Sequence, residues 1–208
     1  ASSVNLTSQS FCASSEGLPS LAPYINRATL KYLDNRSLEQ NVQLRHDLVL
    51  ESGFRISAHR SAEALEELEK IKEEYWSNIR LELAELALPD VLNAPRLCTL
   101  ISEIRELMCE LYPRCDVVTG HLCEVLDEKL IIQQLKHGLL DLSELFNFLA
   151  LTMKKNCAPK RDGQVEAMVK YAAEGNVLDA LKTCLELMEG MKLDLANYKL
   201  DQIRPHVA

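Results

Sequence analysis

Apolar side chains recur at steps of three and four positions along most of the chain after residue 60. Between Ala62 and Leu88 this spacing places them on one face of an α-helix, and Ser61 is suited to cap its start. The apolar positions are Leu65, Leu68, Ile71, Tyr75, Ile79, Leu83 and Leu86. At 1.5 Å per residue, the predicted helix is about 40 Å long and could be the spine of a domain.

Six further helical patterns follow, and several of them begin or end at residues that favour helix termini. Asn93 and Pro95 suit the start of one helix, and Asp127 and Asp141 can cap two later ones. Gly138 supplies the left-handed conformation that ends a helix. The stretch 142–153 is apolar on almost every side, so we expect it to be the central buried helix.

The first 60 residues have a weaker pattern. Residues 1–17 are rich in serine and predict a flexible lead. Residues 18–60 contain an apolar stripe that predicts a first helix from Leu18 to Leu33, either continuous or broken near Pro23. The stretch "QNVQLRHDLVLESGFRI" follows; it lacks a sustained period and indicates an irregular arm. Residues 61–208 form the helical core.

Composition agrees with an all-α fold. Only 7 Gly and 7 Pro interrupt 208 residues, and 47% of the residues are hydrophobic, which is enough for a substantial core. We therefore predict a single helical bundle of roughly seven to eight helices with an irregular amino-terminal arm. No apolar run approaches the ~20 residues that a membrane-spanning helix needs.

The charge and the cysteine content bear on three possible features: nucleic-acid binding, disulfides and a metal site. A formal net charge of −8 argues against a nucleic-acid partner, because such proteins usually present a basic face. Seven cysteines, an odd number, favour reduced thiols. The alternative is a zinc site formed by Cys109, Cys115, His121 and Cys123, although these positions lack the paired CxxC spacing of zinc proteins. We expect no metal and no cofactor.

The sequence lacks three common catalytic motifs. It contains no glycine-rich phosphate loop, no GxSxG and no HExxH, so we expect neither an enzyme nor a small-molecule substrate. Arg45, His46 and Asp47 offer an acid and an imidazole, but neighbouring side chains on a helix or strand do not face one another. We interpret these three residues as an ionic tie between the arm and the bundle.

The turn "NCAPKRDGQV", residues 156–165, combines a proline with a basic cluster. Pro159 suits the first turn of the following helix, and Asp162 can interact with the free amides of that turn. Arg161 could bridge carbonyls and a carboxylate inside the protein, with Glu103, Glu106 or Glu144 nearby, or could bind an external anion. The candidate partner-binding residues are Lys154, Lys155 and Lys160.

The segment "NCAPKRD" resembles the "cAPxRD" signature of the T-complex protein 11 family, and "APRLCTLISEIRELMCELYPR" and "MKLDLANYKLDQIRPH" agree in order. The arm segment "QLRHDLVLE" is most similar to the fungal suppressor-of-kinase branch. The sequence departs from the signature at Lys160, where Met is common, and at Gly163, where an acid is common. The family domain continues beyond a segment like "IRPH", so we expect residues 61–208 to be the amino-terminal part of that domain.

This resemblance implies a regulator without known catalysis, linked to cyclic-AMP and protein kinase A signalling, in the cytoplasm or nucleus. It implies a helical module that binds a protein partner, a component of that kinase pathway. Two alternatives stay open: an unrecognised enzyme, either a hydrolase or a transferase, and an adaptor that binds a membrane surface through its basic corner.

Overall fold

The computed structural model describes residues 21–51, 53–57, 62–86, 94–112 and 116–207. The predicted lead at 1–17 and the predicted caps Ser61 and Asn93 lie outside these ranges. Within them the chain is helical or forms turns, and no strand occurs. None of the helices in the described ranges combines the length and the apolar character needed to cross a bilayer.

Eight of the described helices contain nine residues or more, which confirms the predicted all-α bundle. Two short 3-10 turns, Lys31–Leu33 and Pro159–Arg161, join α-helices. The α-helices are α1 (Arg27–Leu30), α2 (Asn35–Gln40), α3 (Val42–Leu50), α4 (Ala62–Leu86), α5 (Pro95–Leu111), α6 (Asp116–Val125), α7 (Glu128–Lys136), α8 (Leu142–Lys154), α9 (Asp162–Ala173) and α10 (Val177–Val207).

Helix ends in the core follow the predicted capping residues. The Asp127 carboxylate accepts a hydrogen bond from the Leu130 amide at 2.8 Å, and Asp141 accepts one from the Glu144 amide at 2.9 Å. Gly138 has a φ of 64°, which is the left-handed conformation that glycine adopts without strain. These local contacts satisfy amides and stop helices where the sequence indicates.

The central helix is α10, not α8. It packs against α2, α3, α4, α5 and α9, and Leu185 and Met188 on it are completely buried. In α8, Leu149 and Met153 face the core, but the side chain of Leu151 is 67% exposed. The prediction of a central α8 is wrong because the surface of a protein tolerates single apolar residues, so a lack of polar residues does not prove burial.

The amino-terminal arm (residues 21–57) is irregular but contains more helix than predicted in one part and less in another. The predicted start at Leu18 lies outside the described residues, and from residue 21 onward the first helix begins at Arg27; α2 and α3 form inside the stretch predicted to lack regular structure. Both helices are shorter than the ~12 residues that isolated helices need, so packing on the bundle supplies their stability. Leu38, Leu44 and Leu48 are buried there.

A buried lysine joins the arm to two helices of the core. The side chain of Lys192 on α10 is 6% exposed, and its Nζ lies 2.6 Å from Oδ1 of Asp34 and 2.5 Å from Oε2 of Glu110. Burial raises the pKa of Glu110, but hydrogen bonds from Lys192 and Arg27 outweigh that effect and lower the pKa overall. These pairs give a buried ammonium ion the carboxylates that it requires.

Asparagine and arginine side chains near the end of α10 hold the last part of the arm. The side-chain amide of Asn197 accepts a hydrogen bond from the Ile56 amide at 2.8 Å and donates one to the Ile56 carbonyl at 2.9 Å. Arg204 donates to the Phe54 carbonyl at 2.8 Å. The backbone here is extended and belongs to no helix or sheet, so these side chains supply the hydrogen bonds that its amide and carbonyl groups need.

Candidate interaction site

The corner between α8 and α9, residues 154–162, is built by backbone and side-chain hydrogen bonds. After α8 ends, the Cys157 amide donates to the Met153 carbonyl at 2.8 Å, and the Asn156 side chain donates to the Leu111 carbonyl at 3.3 Å. Pro159 then opens a 3-10 turn, and Asp162 lies in the first turn of α9. The corner therefore joins α8 to α9 and carries basic side chains both at the end of α8 and in the turn.

Arg161 points from the corner onto α10. Its Nε donates to Oδ2 of Asp194 at 2.8 Å, and its Nη2 donates to the Gly190 carbonyl at 3.0 Å. The side chain is 17% exposed. The guanidinium therefore bridges a carbonyl and a carboxylate inside the protein, as one of the two sequence interpretations has it, but its partner is Asp194 and not Glu103, Glu106 or Glu144.

Gly190 makes room for this guanidinium. A β-carbon at position 190 would come closer than 3 Å to three atoms of the Arg161 guanidinium. Glycine is unfavourable inside a helix by about 1 kcal/mol relative to alanine, because it loses the most backbone freedom on folding. Its presence in the middle of α10 is explained by the contact with Arg161.

Asp194 is the carboxylate on which both basic residues of the turn converge. Lys160 Nζ lies 2.8 Å from its Oδ1, so each carboxylate oxygen has its own cation. Burial raises the pKa of the Asp194 carboxyl, but the hydrogen bonds from Arg161 and Lys160 outweigh it and lower the pKa overall. Asp194 is therefore ionised at neutral pH and fixes the position of the turn.

The three candidate lysines differ in their surroundings. Lys160 is 65% exposed and pairs with Asp194. Lys154 is 40% exposed and lies 3.2 Å from the carboxylate of Glu166 on α9. Lys155 is exposed and makes no ion pair within the described part of the chain. Lys155 is thus the most available cation of the corner.

Within the described ranges, Arg45, His46 and Asp47 do not form the predicted tie to the bundle. Arg45 donates to the Glu39 carbonyl from Nε at 3.1 Å, and His46 Nδ1 lies 3.5 Å from Oδ1 of Asp47. Asp47 is buried and also accepts a hydrogen bond from Gln43. All these partners belong to α2 and α3, because adjacent positions on a short helix point in different directions and only Asp47 faces inward.

Neither of two cavities in the described ranges resembles an enclosed polar active site. One is a cavity of about 30 Å³, the space of roughly one water molecule, with an entirely apolar lining from α4, α5, α7, α8 and α10. The other is an open depression of about 580 Å³ beside α6 and α7. Among the described residues, no three His, Cys, Asp or Glu side chains are arranged to hold a metal ion.

The sequence indicates only part of this site. Gly190 and Asp194 are one helical turn apart in "EGMKLD", and the only local signal is a glycine that interrupts a strong helical pattern. A glycine in such a pattern can mark a close approach by another group, but it does not say which group approaches. Arg161 lies 33 residues from Asp194 in the sequence, so the pairing depends on how α9 packs on α10.

Comparison with known proteins shows which family the chain resembles. A model of the family described as T-complex protein 11 matches residues 44–208. Protein SOK1 of Saccharomyces cerevisiae is 27% identical over 97% of this chain and 25% of its own length. The T-complex protein 11 homolog of Homo sapiens is 29% identical over 67% of this chain and 26% of its own. No solved structure matches the chain.

The chain thus spans about a quarter of the length of the curated relatives it matches. The family match includes α4 to α10 and the whole corner, so Arg161, Gly190 and Asp194 all lie inside the matched region. On the extent of this match, the chain belongs to the T-complex protein 11 family.

Proposed function

We propose that this chain is a non-enzymatic, helical protein-binding module that acts in cyclic-AMP and protein kinase A signalling. The pathway follows from the resemblance to the T-complex protein 11 family, and the similarity to Protein SOK1 over 97% of the chain supports it. None of the names of the relatives cited above denotes an enzyme. The proposal includes a cytoplasmic or nuclear location, where the components of that pathway occur.

One observation carries the assignment of the binding surface. The corner divides into a buried half, where Arg161 is tied to Asp194, and an exposed half, where Lys154, Lys155 and Lys160 face solvent. The bonds of Arg161 to α10 hold the turn that carries Lys160 in a fixed position. In a chain with a net charge of −8, such a preorganised basic site would favour an acidic protein partner through charge complementarity.

Partner capture with matched variants tests this proposal. In the test variant, Lys154, Lys155 and Lys160 are replaced by Gln; glutamine removes charge without adding an acid beside Asp194. In the control variant, Gln replaces Lys31, Lys70 and Lys129, which are exposed on the arm, on α4 and on α7, so its net charge changes by the same amount. Both proteins are used as bait in cell lysate, with recovered proteins quantified by mass spectrometry and protein kinase A subunits scored individually.

We expect the test variant to lose specific partners that wild type and the control variant retain. The loss should be larger at low salt than at moderate salt, because salt screens the charges of exposed lysines. Equal recovery of every partner by all three proteins would contradict the assignment of the corner. Flotation of the same proteins with vesicles that contain anionic lipid tests the adaptor alternative. Binding to those vesicles with no protein partner lost would replace the proposal by that alternative.

A further inference from the structure

One face of α8 leads from apolar side chains to the basic corner. Side chains three or four positions apart lie on the same face of a helix, so Phe148, Leu151 and Lys155 follow one another along it. Lys154 adjoins Leu151 on this face. Phe148 is half-buried, Leu151 is 67% exposed, and both lysines are exposed. We call these four residues the α8 strip.

Helix α6 enlarges the apolar part of the α8 strip. The ring centroids of His121 on α6 and Phe148 on α8 are 4.8 Å apart, and the rings meet edge to face. Val117 lies one turn before His121 on the same face of α6 and is 83% exposed. The contact between the two rings therefore connects two exposed apolar residues, Val117 and Leu151, into one surface.

This surface differs from an isolated apolar residue, which is common on proteins. Its apolar side chains come from two helices in contact, and cations adjoin them at one end. Apolar patches that are bordered by polar groups mark interaction sites. The neighbouring charges therefore indicate what covers the patch.

The charges around the α8 strip have opposite signs at its two ends. Lys155 makes no ion pair within the described ranges, and Lys154 has one partner, Glu166, at 3.2 Å. At the other end, the exposed Glu144 precedes Phe148 by one turn. Carboxylates are therefore favoured beside the lysines and opposed beside Glu144.

We propose that the α8 strip binds an amphipathic, acidic α-helix of the protein partner. Its apolar face would cover Phe148 and Leu151, and its carboxylates would pair with Lys154 and Lys155. This inference rests on the proposed function, because it takes the corner as the binding surface and adds the chemistry of the partner. Since Glu144 opposes carboxylates at the other end, one orientation of the bound helix is favoured.

The described part of the chain suits a helical partner better than an extended one. A helix places apolar residues at steps of three and four on one face, which matches an apolar surface on two helices. An extended peptide commonly gains its affinity by adding a strand to the edge of a sheet. The described ranges contain no strand and offer no such edge.

Selection from a peptide display library tests this inference. The intact 208-residue chain is immobilised, and random peptides of about 15 residues, enough for four helical turns, are selected for binding. Enriched peptides are synthesised with a fluorescent label, and fluorescence polarisation measures their Kd. We expect enriched sequences to combine carboxylates with apolar residues at steps of three and four, and to gain helical circular dichroism on binding.

Matched variants separate the apolar contribution from the charges. Leu151→Ser should raise the Kd of these peptides roughly tenfold or more, because the peptide no longer buries that leucine side chain. The control is Leu81→Ser, at a leucine that is 58% exposed on α4, and it should leave the Kd unchanged. Replacing Lys154, Lys155 and Lys160 by Gln should also raise the Kd, more at low salt than at moderate salt. Circular dichroism checks that each variant is folded.

The possible failures distinguish this inference from the proposed function. Acidic peptides that bind wild type and Leu151→Ser equally would overturn the inference and leave the proposed function intact, because the corner would then need no apolar contact. Enriched peptides whose Kd is unchanged by the three Lys→Gln substitutions would contradict both. A selection that enriches no peptide, or only peptides that bind without becoming helical, would overturn the inference alone.

Discussion

Replacing Gly190 with Ala should destabilise this protein, although the same change stabilises an ordinary helix. In an unobstructed helix interior, Gly→Ala contributes about 1 kcal/mol in favour of folding. At position 190 the added β-carbon would occupy the place of the Arg161 guanidinium, which must move away. Arg161 then loses its hydrogen bonds to the Gly190 carbonyl and to Asp194.

The size of the effect follows from these two opposing contributions. Hydrogen bonds to a charged group contribute about 1.5 to 3 kcal/mol each when buried, and because this side chain can swing into water we take the total loss as roughly 2 to 4 kcal/mol. Subtracting the helix propensity of alanine leaves a net destabilisation of about 1 to 3 kcal/mol. The sign, more than the size, distinguishes this account from a propensity argument.

The effect of Gly190→Ala on the free energy of unfolding is measured by urea unfolding of four proteins: wild type, Gly190→Ala, Arg161→Ala and the double variant. Once Arg161 is replaced by Ala, nothing occupies the space above position 190, so Gly190→Ala should stabilise by about 0.5 to 1 kcal/mol. The sign of the glycine substitution should therefore reverse between the two backgrounds. If Gly190→Ala stabilises both backgrounds equally, the guanidinium does not rest on Gly190 and the described junction is incorrect.

Four further predictions concern the corner, α8, stability in acid and metal content. Arg161→Ala removes the same bonds to Gly190 and Asp194 and should lower the free energy of unfolding by roughly 2 to 4 kcal/mol, whereas Lys160→Ala, at a mostly exposed ion pair, should change it by less than about 0.5. Equal effects in urea unfolding would contradict this division. Leu149→Ala should lower the free energy of unfolding by about 2 to 5 kcal/mol, whereas Leu151→Ala should lower it by less than about 0.5 because that side chain is already exposed. Similar losses in both variants would show that the buried face of α8 is assigned incorrectly. Because the pKa of Asp194 is lowered in the folded state, the ionised carboxylate contributes stability that is complete above the ordinary Asp pKa and disappears as pH falls through the lowered pKa. The stability that the protein loses in acid, measured by urea unfolding, should therefore be smaller in Asp194→Asn, and an unchanged loss in that variant would refute this role of Asp194. Purified protein should contain no stoichiometric zinc and should melt at the same temperature with or without a chelator; metal that is lost together with stability would reverse that expectation.

The helical core could be predicted because its signals are local. The caps Asp127 and Asp141 and the turn residue Gly138 act on amides and backbone angles within a few positions, so the sequence indicates where α7 and α8 begin and where α7 ends. Helices α2 and α3 were not predicted, since their stability comes from burial against α10. The sequence also could not show which apolar residues of α8 are buried. Leu151 is as apolar as Leu149, and only the packing of the helices buries one and exposes the other.

The candidate site was predictable in its residues and not in its partners. Pro159, Arg161 and Asp162 attract attention as a basic turn after a proline, but the carboxylate that binds Arg161 comes from α10, 33 positions away. Lys192 shows the same limit more strongly. A lysine in a helical pattern is usually solvated, and its burial between Asp34 and Glu110 depends on contacts with residues 158 and 82 positions away.

Site-specific photo-crosslinking in cells tests the central claim, that the exposed half of the corner binds a protein. A photo-reactive amino acid is introduced at Lys155, which is exposed and makes no ion pair with the described residues, so the fold is not disturbed. The same residue at Lys70, exposed on α4, is the control. The account predicts a discrete crosslinked protein from position 155 and none from position 70. A partner captured from position 70 and not from position 155 would contradict the claim and place the functional surface on α4.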